Sequence, residues 1–80
     1  MTKNKNLDIQ RKFGENLKKI RMQKGLSLRA LAARCDIDDS NISKIENGYY
    51  NIRLSTLLQL AKALDILPNE LLCFKMISKI

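Results

Sequence analysis

Apolar residues recur every three or four positions along most of the chain, which is the spacing of amphipathic helices. Five such stripes follow one another, separated by polar or glycine-containing residues. β-branched residues rarely alternate with polar ones, so the pattern predicts an all-α domain of five helices. The residues expected to face inward are Ile9, Phe13, Leu17 and Ile20; Leu28, Leu31, Ala32 and Cys35; Ile42 and Ile45; Leu54, Leu57, Leu58, Ala61 and Leu64; and Leu71 and Leu72.

Capping residues set the expected helix ends. Asp8, Ser27 and Asp38 stand just before apolar stripes, where a side-chain oxygen can accept a backbone N–H. Gly25 and Gly48 follow stripes and are expected to end the first and third helices.

The second and third stripes predict two short helices joined by a tight turn. Asp36 is the expected turn residue, since aspartate can adopt the left-handed conformation. Two helices joined in this way form a helix-turn-helix, here over about residues 28–47. A fourth helix is expected over roughly residues 54–64, and Pro68 opens a fifth.

The chain carries a formal net charge of +7. The excess lies in residues 1–34, which hold ten basic and two acidic side chains, whereas residues 35–80 hold five basic and six acidic ones. Such asymmetry favours an anionic partner, and solubility alone is the alternative. The same two interpretations apply to a group of basic residues near the start: Lys3, Lys5, Arg11 and Lys12.

Several functional classes lack the residues they need. With no histidine and no CxxC motif, a zinc site is not expected, and Cys35 and Cys73 are interpreted as reduced core residues. No acid–base pair, nucleophile or glycine-rich phosphate loop stands out, so neither enzyme activity nor a cofactor is expected. No apolar run reaches the roughly 18 residues of a membrane helix, and the polar N-terminus is unlike a signal peptide. We therefore expect a cytoplasmic protein with no membrane partner.

Four separated blocks agree in register with one known family. They are LKKIRMQKGLS (17–27), LAARC (31–35), NISKIENG (41–48) and STLLQLAKALDI (55–66). In these blocks the chain resembles the phage repressor and Cro-like (XRE-type) helix-turn-helix family. The resemblance implies a compact five-helix, lambda-repressor-like domain over residues 8–72, after a polar segment, residues 1–7, that is expected to be frayed. It also implies a homodimer on operator DNA, with the third helix, about residues 38–47, in the major groove.

A helical wheel places a polar arc on the third helix, opposite Ile42 and Ile45. Lys44 could donate to guanine O6 or N7, and the alternatives are a phosphate contact or a solvated lysine. Asp39 could accept from the cytosine amino group, and the alternative is an acid that only favours the helix dipole. The candidates for reading base edges are Asp39, Ser40, Ser43 and Lys44.

Other residues are expected to contact the DNA backbone, which positions a protein without reading sequence. Much of the family carries glutamine where this chain has Leu28, so the family's phosphate contact at that site is not expected here. Arg21 and Glu46 match a family pair that forms a partly buried, structural salt bridge. The phosphate candidates are Ser27, Arg29, Asn47, Tyr49, Asn51 and Arg53.

The C-terminal residues 73–80, CFKMISKI, form one more apolar stripe on a helical wheel. An apolar stripe at the end of a small domain has to be covered. It either packs back on its own core or forms a two-fold dimer seam. The candidates for this seam are Ile66, Leu67, Met76, Ile77 and Ile80.

Taken together, the residues and the resemblance predict a sequence-specific transcriptional regulator that binds double-stranded DNA. Free-standing proteins of this pattern resemble Cro-type repressors and restriction–modification controller proteins, and the sequence does not distinguish repression from activation. No small-molecule ligand is expected, since control would come from concentration and dimerisation. The alternative is an antitoxin-like protein-binding module whose DNA binding serves autoregulation.

Overall fold

The computed structural model describes the backbone of residues 5–75 and the side-chain surroundings of residues 7–75. These residues form five helices and no strand, which confirms the predicted all-α class. None of the helices described is long and apolar enough to span a membrane. Lys3, the Lys5 side chain and the seam candidates Met76, Ile77 and Ile80 lie outside the described residues. The helices are α1 (Lys5–Gln23), α2 (Leu28–Ala32), α3 (Asp39–Glu46), α4 (Leu54–Leu64) and α5 (Pro68–Leu71).

One apolar core joins all five helices, because each contributes at least one fully buried side chain. A chain this short has little apolar surface to bury, so each helix depends on its neighbours for stability. The largest fully buried residues are Leu17, Leu31, Ile42, Leu60, Leu64 and Leu71.

Helix α4 buries only part of the stripe that the sequence pattern predicts: Leu57, Ala61 and Leu64 are buried, and Leu54 and Leu58 are not. Leu54 is 70% exposed and Leu58 is 47% exposed, whereas Leu60 is fully buried. The reason is that α4 is apolar on two neighbouring faces, and only one of them meets the core. The buried face carries Leu57, Leu60, Ala61, Ala63 and Leu64.

The ends of the other predicted stripes are more exposed than expected. Ile9 and Leu72, which were predicted to face inward, are exposed, and so is Cys73, which was interpreted as a core residue. Ile9 lies near the start of α1, and Leu72 and Cys73 follow α5, so all three lie at the edge of the domain, where the other helices do not enclose them. Four more of the predicted inward residues are partly buried and pack against the edge of the core: Ile20, Leu28, Ala32 and Cys35.

Helix α1 begins earlier than predicted and ends where predicted. It is already helical at Lys5, the first residue described, so Asp8 is not its N-cap; the Asp8 carboxylate still lies near the start of the helix, where it favours the helix dipole. At the other end Gly25 takes a left-handed φ of 72°. The N–H of Leu26 then donates to the carbonyl of Arg21 at 3.1 Å, which closes the helix end.

The backbones of α1 and α3 touch at Gly14. A Cβ at this position would collide with the carbonyl oxygen of Ile45 and lie 2.5 Å from that of Glu46. Glycine inside a helix costs about 1 kcal/mol relative to alanine. The absence of a side chain at Gly14 lets the backbones of the two helices pack against each other, and this contact sets the position of α3.

The turn between α2 and α3 does not use the left-handed conformation that was expected of Asp36. Among the described residues other than glycine, only Asp65 has a positive φ, 59°. The backbone N–H of Asp36 donates instead to the side-chain oxygen of Gln59 on α4, at 3.2 Å. Gln59 of α4 therefore holds the turn between α2 and α3. The aspartate that takes the left-handed conformation is Asp65, which ends α4.

Candidate nucleic-acid interface

Helix α3 has one apolar side in the core and one polar side at the surface, which we call the outer face. Ile42 and Ile45 are buried, so the residues on the opposite side of the helix point outward. The structure brings together on this face all four residues predicted to read bases: Ser40 and Lys44 are exposed, and Asp39 and Ser43 are half-buried. The face offers hydroxyl, ammonium and carboxylate groups, which together can donate and accept hydrogen bonds.

A buried ion pair fixes the C-terminal end of α3. Arg21 Nε lies 2.6 Å from Glu46 Oε2, and Arg21 Nη2 lies 3.0 Å from Glu46 Oε1. Arg21 Nη1 donates to the carbonyl of Leu26 at 2.8 Å. The hydrogen bonds to Glu46 raise the pKa of Arg21 above its ordinary value, although burial acts in the opposite direction. This arrangement locks α3 to α1 and to the loop before α2.

Asp38 occupies the N-cap position of α3, but its side chain does not cap the helix. Asp38 has the extended backbone of an N-cap, yet its carboxylate accepts no N–H from the helix, contrary to the prediction. Its backbone carbonyl accepts from Asn41 at 3.1 Å and Ile42 at 3.0 Å. The carboxylate is exposed, so water can solvate it in place of an amide, and it still lies at the positive end of the helix dipole.

Helix α2 begins as predicted. The hydroxyl oxygen of Ser27 accepts the N–H of Ala30 at 3.0 Å, so the serine caps the helix. Its own hydroxyl hydrogen remains able to donate to a phosphate oxygen. Leu28 is partly buried against the core, as an aliphatic residue at this site should be.

Arg29, the next residue of α2, reaches toward the start of α3. Its Nε lies 4.0 Å from Asp39 Oδ2, and the two side chains are 89% and 48% exposed. An ion pair this exposed adds little to stability. The pair does bring together Arg29, which was predicted to contact phosphate, and Asp39, which was predicted to read bases.

The remaining phosphate candidates follow α3 and lie at the surface. Tyr49, Asn51 and Arg53 are exposed in or beside the loop between α3 and α4. The N–H of Tyr49 donates to the carbonyl of Lys44 at 2.9 Å, which keeps the start of this loop against the end of α3. Asn47 is exposed, and its side-chain amide donates to the Ser43 carbonyl at 2.9 Å, which leaves its oxygen free to accept.

Three side chains that hold this surface in place were missed in the sequence. Gln10 Nε2 donates to the carbonyl of Gly48 at 3.0 Å and ties α1 to the loop after α3. Asn16 Nδ2 donates to the carbonyl of Leu71 at 2.9 Å and ties α1 to α5. Together with Gln59, these are amides that bond distant backbone groups, and no local pattern marks them. Residues 5–75 contain no cluster of three or more side chains that could hold a metal ion.

Known proteins match most of the chain. The helix-turn-helix family profile (HTH_3) matches residues 17–71. The chain is 38% identical over 63 residues to the control protein C.BamHI of Bacillus amyloliquefaciens, which is 78% of each chain. It is 42% identical over 65 residues to the control protein C.MunI of a Mycoplasma species, covering 80% of this chain and 88% of that protein.

Solved structures give the same result. The restriction-modification controller protein C.AhdI from Aeromonas hydrophila matches with a TM-score of 0.74 at 44% identity, covering 76% of this chain and 92% of that one. The clp gene regulator ClgR from C. glutamicum matches with a TM-score of 0.76 at 25% identity, covering 80% and 83%. The resemblance that the four sequence blocks predicted is therefore confirmed. The chain belongs to the helix-turn-helix (HTH_3) family.

Proposed function

We propose that the chain is a transcriptional regulator that binds double-stranded operator DNA as a homodimer, with α3 in the major groove. The observation that carries this proposal is the outer face of α3, which presents polar side chains opposite a buried Ile42 and Ile45. An α-helix with its side chains is about 10–12 Å across, which fits the roughly 12 Å width of the major groove. The control proteins among its relatives favour this function over the antitoxin-like alternative.

Base reading is assigned to the outer face of α3, a helix of eight residues and therefore about two turns. Lys44 is exposed and could donate to guanine O6 or N7, while Ser40 and Ser43 could donate or accept. The ion pair between Arg21 and Glu46 ties α3 to α1, so the helix that carries these side chains starts from a fixed position. A fixed reading helix loses less conformational entropy when it binds.

Backbone contacts are assigned to residues on either side of the outer face. Phosphate contacts set the orientation of the protein, and the charge asymmetry of the chain supplies the attraction. The residues proposed to contact phosphates are Ser27 and Arg29, which precede α3, and Asn47, Tyr49, Asn51 and Arg53, which follow it.

The dimer is proposed on apolar surface that the monomer leaves open. Leu54, Leu58 and Leu67 are exposed, although Ile66 packs partly against the core. An open recess of about 280 Å³ lies beside Leu54 and Leu72. Exposed apolar surface of this kind marks an interface, and pairing on an inverted repeat requires a second copy of the chain. Met76, Ile77 and Ile80, also proposed for the seam, lie outside the described residues.

Selection of binding sites from random duplex DNA tests this function. The expected product is an inverted repeat with half-sites about one helical turn apart. On that site Lys44→Ala should weaken binding by on the order of tenfold. Lys19→Ala is the matched control, because Lys19 is an exposed lysine on α1 beside a recess to which neither α3 nor α4 contributes, and its loss should change binding little. Binding without any enriched sequence would leave only backbone attraction and would reject the proposal.

A further inference from the structure

The side chain of Arg29 lies beside the outer face of α3, although Arg29 belongs to α2. Its side chain is 89% exposed, and its Nε is 4.0 Å from the Oδ2 of Asp39, the first residue of α3. The guanidinium therefore crosses from α2 to the first turn of the reading helix. This is the end of α3 from which helix-turn-helix proteins contact base edges.

The charges around Arg29 disfavour a phosphate partner. Arg29 lines an open recess between α2 and α3 together with Asp36, Asp38 and Asp39. Three carboxylates around one guanidinium make the recess formally negative, and a phosphate placed there would be repelled. A guanine edge carries no net charge and presents two acceptors, O6 and N7, that match the guanidinium fork.

We propose that Arg29 reads a guanine in the major groove and that Asp39 is the residue that positions it. This inference rests on the proposed function and revises the role of both residues. Because Asp39 Oδ2 faces the Nε of Arg29, the two terminal Nη groups are left to donate side by side to O6 and N7. The carboxylate attracts the long, flexible side chain of Arg29 toward the first turn of α3, which favours the reading position before DNA arrives.

The test compares the wild-type protein and its variants on the selected operator and on a panel of its single-base-pair changes. Arg29→Lys keeps the positive charge but removes the fork. The preference for guanine at one base pair of each half-site should fall by on the order of tenfold or more. Affinity for unrelated duplex DNA and its salt dependence should stay the same, since the charge is conserved.

Two further variants separate positioning from direct reading. Asp39→Asn should reduce the preference at the same base pair, and it should add nothing in the Arg29→Lys background. Arg34→Lys is the matched control: Arg34 is exposed, lies outside the recess and donates to the carbonyl of Ala63 on α4, so the base preferences of this variant should match those of the wild type. Fluorescence anisotropy gives the affinities, and circular dichroism checks that each variant is folded.

Three results would overturn the inference. One is a wild-type base preference that survives in Arg29→Lys. Another is a loss of preference at a different base pair in Asp39→Asn, which would mean that Asp39 reads a base itself. The third is an Arg29→Ala variant that binds every sequence more weakly by the same factor with a shallower salt slope, as expected for a phosphate contact. If the wild-type protein selects no sequence at all, the proposed function fails, and this inference fails with it.

Discussion

Removal of one partner of the Arg21–Glu46 pair should destabilise the fold by about 3 kcal/mol. The two side chains are only 10% and 5% exposed, so water screens a stranded charge poorly. Glu46→Ala removes the acceptors at 2.6 and 3.0 Å and leaves Arg21 with the carbonyl of Leu26 at 2.8 Å. A domain of this length has a free energy of unfolding of about 4–12 kcal/mol, so the loss is a large fraction of the total.

Urea unfolding followed by circular dichroism measures this loss. Arg21→Met should be destabilised by a similar amount, because it leaves the Glu46 carboxylate buried without a partner. A double variant, Arg21→Met with Glu46→Leu, should recover most of the stability, since no charge then remains buried. Asp39→Ala breaks the exposed pair with Arg29 and serves as the control, with little expected change.

The reasoning about a stranded charge would be refuted in either of two ways. Single variants as stable as the wild-type protein would mean that the buried pair is well solvated or unimportant. A double variant no more stable than the weaker single variant would mean that the loss comes from packing and not from charge.

Three further changes test other parts of the structure. Gly14→Ala should lower the free energy of unfolding by roughly 1–3 kcal/mol, because its Cβ would collide with the Ile45 carbonyl oxygen; an unchanged or higher melting temperature would contradict the close approach. Asp65→Gly should raise stability by about 0.5–1 kcal/mol, because φ is 59° there, and Asp36→Gly should give no such gain in urea titrations. Leu58→Lys should convert a dimer to a folded monomer in sedimentation velocity, because Leu58 is exposed in the single chain; a retained dimer would place the seam elsewhere.

Local sequence was sufficient wherever one stretch of chain determines its own structure. The stripe of α3 predicted its buried and outer faces, since Ile42 and Ile45 are its inward-facing isoleucines. Ser27 caps α2 because its hydroxyl needs only the N–H groups of the next turn. Gly25 ends α1 for the same local reason, since glycine takes a positive φ without strain.

Local sequence did not predict the burial or the backbone conformation of a residue where a group far away in the chain determines it. Leu58 and Leu60 are equally apolar, and only the neighbouring helices determine that the second is buried. Asp36 and Asp65 both follow a helix, yet Gln59 holds the first from α4, and only the second takes the left-handed conformation.

The candidate site shows the same division. The outer face of α3 followed from periodicity and resemblance, whereas the approach of Arg29 to Asp39 depends on the angle between two helices. A turn of a few residues sets that angle, and no spacing in the chain encodes the 4.0 Å distance.

The central claim is that the outer face of α3 lies in the major groove of a specific site. Dimethyl sulfate footprinting on DNA selected by the wild-type protein tests it most directly, because the reagent methylates guanine N7 in that groove. The account predicts protected guanines in two clusters about one helical turn apart. Unchanged methylation of every guanine in a fully bound site would contradict it.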